Sequence, residues 1–183
     1  GLTWLRLQEE ARRQTRDRVL VASGDAADLL LASPRWRDSI IKVLALIETS
    51  FQSYSARFID VDGQSLGGPA SMVDVPAAFL LATAAAETGG LVGNGAEPVP
   101  GFESDIPAIS TSFVSVPIWV RGETAGILLV EDVNRVRVHD QNSIAALRAF
   151  ADSIGTTMAR EALEGELVHA QRMEAVGLLA GGI

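Results

Sequence analysis

Few residues in this chain have the chemistry of a nucleophile, a metal ligand or a proton carrier. None of the 183 residues is cysteine. That excludes disulfides, thiolate metal sites, cysteine nucleophiles and a chromophore tethered to a cysteine of this chain. Two histidines are present, His139 and His169. His139 precedes Asp140, which has the pattern of a helix cap, so it reads as a solvent-exposed residue beside that cap. His169 lies in a helical stretch and is followed by Ala170, and it reads as a seam or surface residue. A Ser-His-Asp triad would need one of them beside a nucleophile and an orienting acid, and no nucleophile-elbow motif occurs. The stretch GGLVGNG, Gly89–Gly95, invites a phosphate loop. It lacks the Lys-Ser/Thr that ends a P-loop, and it follows a helix where the dinucleotide fingerprint follows a strand. A helix C-cap plus a turn is the expectation. The stretch DVDG, Asp60–Gly63, lacks the remaining ligands and the terminal Glu of a calcium loop, and reads as a strand entering a turn. No metal site is expected.

Composition narrows the partners. The chain is 48% hydrophobic and 21% charged, with a net charge of −8. It is therefore globular, and nucleic acid is an unexpected partner, since that binding rests on Lys and Arg neutralising phosphates. Lys42 is the sole lysine among 15 basic residues, a bias read as genomic codon usage. No apolar run reaches the roughly 18 residues of a membrane span, and the start, GLTWLRLQEEARRQTRDR, is amphipathic and charged, unlike a signal peptide. A cytoplasmic, soluble chain, or a soluble piece of something larger, is expected.

The elements that must position any site follow from periodicity. Residues 3–22 read as a helix with a thin apolar stripe, suited to a coil or a partner helix. Ser23-Gly24-Asp25 is expected to break it, and AADLLLA to form a short helix before Pro34. Ser33 as cap and Pro34 in the first turn open the next helix, with Ile40, Val43, Leu44, Ile47 and Phe51 on one face. SYSARFIDVDG reads as a strand ending in a turn. From Gln64 to Thr111 the chain is irregular and rich in Gly and Pro, with one helix from Asp74 to a C′ at Gly89. A connection of this length is either disordered or functional. Val114, Val116, Ile118 and Val120 then share a strand face. Arg121-Gly122-Glu123 is a hairpin loop, and AGILLVEDV is a returning strand covered on both faces. Pro117 demands an edge or a bulge. A last helix runs unbroken from Asp140 toward Ile183, and Gly155 and Gly165 are each expected to weaken it by about 1 kcal/mol relative to Ala. The order gives an α+β fold, an antiparallel sheet flanked by helices, with long N- and C-terminal helices.

Two stretches resemble known families. VPIWVRGETAGILLVEDVNRVRVHDQNSIAALRAFADSIGTTMARE resembles the C-terminal half of a GAF domain: strand, turn around Arg-Gly, strand with Gly-Ile-Leu, acidic helix start and amphipathic helix. With the upstream helix and strand, the likeness covers about residues 34–161. ELVHAQRMEAVGLLAGGI resembles the start of the dimerisation and phosphoacceptor (H-box) helix of bacterial two-component sensor histidine kinases. Gln171, Arg172, Met173, Glu174, Ala175, Val176, Gly177, Leu179, Gly181, Gly182 and Ile183 match that family's pattern, which continues into Ala-His-Asp-Phe with the acceptor His. The likeness implies a linker or coiled-coil helix over 1–24, a GAF sensor domain over 25–161, and the start of the kinase helix over 162–183, cut before the acceptor. Without that His and an ATP-binding domain the fragment is not expected to be an enzyme. Its parent would be a kinase acting in a phosphorelay with a response regulator.

Within the GAF likeness, a small ligand would sit between the sheet and the loops of the excursion. Phe58, Met72, Phe79, Phe102 and Phe113 are its candidate lining, and Ser112 and Ser115, with Ser110 and Thr111, its candidate anchors; the alternative for the aromatics is ordinary core packing. No cofactor is evident. Asn134-Arg135 and the following VHDQ depart from the cyclic-nucleotide-binding GAF signature, with Arg for Lys, no Phe and Gln for Glu. The terminal helices are expected to form a parallel homodimer, with Leu147, Ala151, Ile154, Met158, Met173, Val176, Ala180 and Ile183 at the interface and the N-terminal helix beside them. Met158 to His169 is eleven residues, a heptad plus four, which is a stutter. The alternatives are a ligand-free dimerisation spacer and a small-molecule enzyme on a GAF fold. The free methionine sulfoxide reductases are of the latter kind, but they rely on cysteine.

Overall fold

The computed structural model describes residues 2–53, 55–68, 84–94, 112–132 and 141–181. Helix α1 (Leu2–Ala32) and helix α2 (Trp36–Phe51) are followed by strands β1 (Ser55–Asp60), β2 (Ser65–Leu66), β3 (Leu91–Asn94), β4 (Ser112–Val120) and β5 (Glu123–Asp132). Helix α3 (Gln141–Gly181) ends the described chain. The strands form one antiparallel sheet in the order β2-β1-β5-β4-β3. Ala56, Phe58, Val114, Val116, Ile118, Leu128 and Val130 face one way and pack with all three helices into the core.

The expected break at Ser23-Gly24-Asp25 is absent. Val19, Ala22, Ala26 and Leu30 recur at helical spacing and are all buried. Burying that stripe against the core outweighs the roughly 1 kcal/mol that a helical glycine costs, and nothing among the described residues crowds Gly24. The next helix starts later than expected. Ser33 does not cap it; its hydroxyl donates to Leu29 O and closes the end of α1. The first-turn donor of α2 is met from across the fold, where Trp36 N–H donates to Glu161 Oε2 of α3 at 3.1 Å. The expected face of α2 is the buried one: Ile40, Val43, Leu44, Ile47 and Phe51.

Asp60 explains DVDG without a cation. Its Oδ1 accepts the N–H groups of Asp62 and Gln64 at 3.0 and 2.8 Å, an Asx-type turn. Two strands fall in the stretch expected to be irregular. β2 pairs with β1 just after that turn. β3 occupies what reads as turn in GGLVGNG: Gly89 takes the left-handed conformation (φ 75°) after helical residues 84–88, but Leu91–Asn94 is paired with β4. The remainder of the predicted 74–88 helix lies outside the described residues.

Pro117 is accommodated in an interior strand. Among the described residues β3 pairs only with Ser112–Ser115, so no described partner on that side reaches Pro117, and the β4–β5 register shifts between Ile118 and Trp119. Past this irregularity the hairpin closes through Arg121-Gly122, both at positive φ (55° and 85°).

Helix α3 is unbroken over its described length, but its two halves differ. Ile144, Leu147, Phe150, Ala151 and Ile154 are buried against the sheet and the other helices, whereas every side chain from Ala162 to Gly181 is exposed. Leu147, Ala151 and Ile154, expected at a dimer seam, therefore have no surface to offer a second chain. Met158 is half-buried and packed on the same core. A stripe of this spacing serves equally for a sheet or for a partner helix, and the sheet takes it. Helix α1 does not accompany the exposed half. Its C-terminal end meets the middle of α3, where Arg160 donates to Leu30 O and Ser33 O at 3.4 and 3.2 Å.

Candidate functional site

The sheet has a second face, opposite the helices. The pairing lays it out in rows. One row runs Ser55 (β1), Glu131 (β5), Phe113 (β4), Gly93 (β3). The next runs Arg57, Leu129, Ser115, Leu91, and a third runs Ile59, Ile127, Pro117. Alternation of side chains along each strand puts these residues together on the face away from Val114, Val116 and Phe58. Gly68 confirms the placement, since a side chain there would meet both Ser55 and Arg57.

This face is apolar with a few polar groups set into it. Leu91, Phe113, Ile127 and Leu129 supply the apolar surface, and all are buried. Gly93 lies under the Phe113 ring, so any β-carbon at 93 would run into that ring. Arg57 crosses to the sheet edge, where Nε donates to Ser65 Oγ at 2.8 Å. Glu131 is buried in the first row. The two serines stand out. Ser55 and Ser115 are 1% and 0% exposed, and neither hydroxyl has a hydrogen-bond partner among the described residues. A buried hydroxyl left without a partner costs about 1–3 kcal/mol. Most buried polar groups are satisfied, so two such hydroxyls on one face need an explanation.

The predicted site residues separate accordingly. Phe113 and Ser115 lie together on this face. Phe58 does not; it is on the helix side, edge-on to the Trp36 ring with centroids 5.2 Å apart. Strand alternation also turns Ser112 to the helix side, beside Val114. Met72, Phe79 and Phe102 lie outside the described residues, as do His139, Ser110, Thr111 and the Asn134–Gln141 signature up to Asp140. Ser55 escapes the sequence reading because nothing in SYSARFID distinguishes which serine faces which side until the register with β5 is known. Among the described residues no group of three or more His, Asp or Glu is placed to hold a metal ion, and no helix is long and apolar enough to cross a membrane. His169 is exposed on α3.

The strands bearing this face grip α3 at two points. A β-carbon at Gly155 would run into the carbonyl oxygen of Trp119, so the helix backbone rests directly on the strand there. At the hairpin tip Arg121 Nη1 donates to Glu166 Oε1 at 2.6 Å. That hydrogen bond, with the guanidinium charge, holds the Glu166 carboxyl below its ordinary range, and the same bond with the carboxylate charge pushes Arg121 up. The interaction is therefore complete above the ordinary carboxylate range and is lost as pH falls through the depressed Glu166 pKa.

Neither a family model nor a curated protein matches the sequence. Solved structures do match in fold. A putative GAF sensor protein from Burkholderia vietnamiensis superposes with a TM-score of 0.60 at 18% identity, covering 80% of this chain and 93% of that one. The free methionine-R-sulfoxide reductase from Neisseria meningitidis, solved with its substrate, gives 0.57 at 16% identity, covering 77% and 89%. The phycocyanobilin-bound GAF domain from a cyanobacterial phytochrome gives 0.54 at 17% identity, covering 80% and 96%. With its five-stranded antiparallel sheet and flanking helices, the chain has a GAF-like α+β fold.

Proposed function

We propose that this chain is the sensory module of a two-component histidine kinase, binding a small molecule on the sheet face that carries Ser55 and Ser115 and passing its state to α3. One observation carries the ligand reading: two fully buried hydroxyls share an apolar face with no partner among the described residues. A ligand offering polar atoms to them would offset the cost of their burial. Small molecules are bound in the reductase and phytochrome structures of similar fold, which supports a ligand-binding reading of this chain. The reductase chemistry is not proposed, because this chain has no cysteine for the redox thiol. The kinase context rests on the likeness of Gln171–Ile183 to the phosphoacceptor helix. The exposed apolar residues Met173 and Val176 support a homodimer through that helix. The kinase core and a response regulator are the further partners this reading implies, in the cytoplasm.

Thermal shift against a metabolite library tests the ligand reading, because a compound that binds the native state raises the melting temperature. At least one compound class is expected to raise it. Ser115→Ala is expected to leave the ligand-free melting temperature undiminished, since it removes an unpartnered hydroxyl. It should weaken that compound by about five- to tenfold, the worth of one hydrogen bond. A library that shifts nothing favours the ligand-free spacer. Equal binding by Ser115→Ala moves the site elsewhere.

A further inference from the structure

The β4–β5 hairpin joins two parts of the molecule that otherwise lie apart. Its strands carry Phe113, Ser115 and Glu131 on the candidate binding face. Its tip reaches the exposed half of α3. The register shift at Ile118/Trp119 lies just before the hairpin end, where the Trp119 carbonyl rests on Gly155 and Arg121 meets Glu166. The two grips are eleven residues apart, about 16 Å along the helix. One lies in the buried half of α3 and the other one turn beyond Glu161, the last side chain that is even partly buried.

The residue at the tip is an unusual choice for its place. The first position of a two-residue turn with both residues at positive φ favours Asn, Asp or Gly. Arg121 stands there at φ 55°. A branch-free but bulky side chain in the left-handed region costs backbone energy, and such a cost points to a use for the side chain. The visible use is Glu166.

We infer that Arg121 and Glu166 form a latch: the hairpin tip holds the exit of α3, so that the arrangement of β4 and β5 sets how firmly the first exposed turns of the helix are ordered. The device has two states, latched and released, and anything that displaces the β4–β5 ribbon shifts the balance between them. It rests on the proposed function for the identity of that displacement, a ligand on the Ser115 face. The latch itself is a property of the ligand-free chain.

Hydrogen–deuterium exchange on the ligand-free chain tests it. Arg121→Asn suits the turn better than arginine, so amides of the hairpin, 118–125, should exchange at the same rate or more slowly. Amides of α3 from about 162 to 170 should exchange about two- to fivefold faster, the range expected for loss of one exposed ion pair. Glu166→Gln should produce the same change in α3, and Arg121→Glu combined with Glu166→Arg should restore the wild-type rate. Unchanged exchange in α3, or failure of the exchanged pair to restore it, overturns the latch. Because no arm uses a ligand, an unsuccessful metabolite screen removes the ligand reading and leaves the latch standing.

Discussion

Gly155→Ala is expected to destabilise the domain, and Gly165→Ala to stabilise it, although both replace a glycine inside the same helix. Propensity alone favours alanine at either site by about 1 kcal/mol. At Gly165 nothing among the described residues lies within reach of a new β-carbon, so that gain should appear in full. At Gly155 the β-carbon would meet the backbone carbonyl of Trp119, which cannot swing aside as a flexible side chain would. Either α3 lifts from the sheet or the hairpin moves, and overpacking of this kind costs about 1–3 kcal/mol. Each kcal/mol corresponds to about 2–4 °C in melting temperature at this chain length. Thermal unfolding of the two variants checks the opposite signs. Two shifts of the same sign would mean that α3 does not rest on the Trp119 backbone.

Met173→Glu combined with Val176→Glu is expected to abolish self-association while leaving the domain folded. Both side chains are exposed, at 56% and 58%, on the half of α3 beyond the Arg121–Glu166 contact, where every described side chain is exposed. If two chains pair there, the substitutions remove four apolar side chains from the seam and place like charges in it. Full burial of such a side chain stabilises by roughly 1.5–3 kcal/mol. Half of the lower figure for each of the four still gives about 3 kcal/mol, or about a hundredfold in the dimer dissociation constant. Sedimentation velocity measures it. An unchanged dimer would move the interface to another surface, and a wild-type chain that is monomeric at tens of micromolar would remove the dimer proposal.

Much of the fold was legible in the sequence, for identifiable reasons. The α2 stripe and the β4–β5 hairpin rest on strong local signals, periodicity and a Gly turn, and the structure has both in place. The failures are of a different kind. Ser23-Gly24-Asp25 has the local chemistry of a break, but the stripe Val19–Leu30 is buried by residues far away in sequence, and tertiary packing overrides the break. The stripe Leu147–Ile154 is amphipathic in either role, and periodicity does not say whether a sheet or a second chain covers it. Phe58 and Phe113 both read as aromatic candidates in strands. They fall on opposite faces because of parity within each strand and the register between strands, which a single sequence does not display. β2 and β3 leave no periodic signal, because two and four residues are too short to show alternation and Gly93 interrupts the longer of them. Glu161 as the partner of the α2 N-terminus is a contact across 125 positions, with no local signature at either end.

Relay requires that occupation of the Ser115 face be felt at the exit of α3. Hydrogen exchange with and without the compound that raises the melting temperature measures both ends at once. The expected result is slower exchange in β4 and β5 together with a changed rate at about 160–170, the second change disappearing in Arg121→Asn while the first remains. Protection of the strands with α3 unaltered in the wild-type chain would contradict the account, because the chain would then bind without relaying.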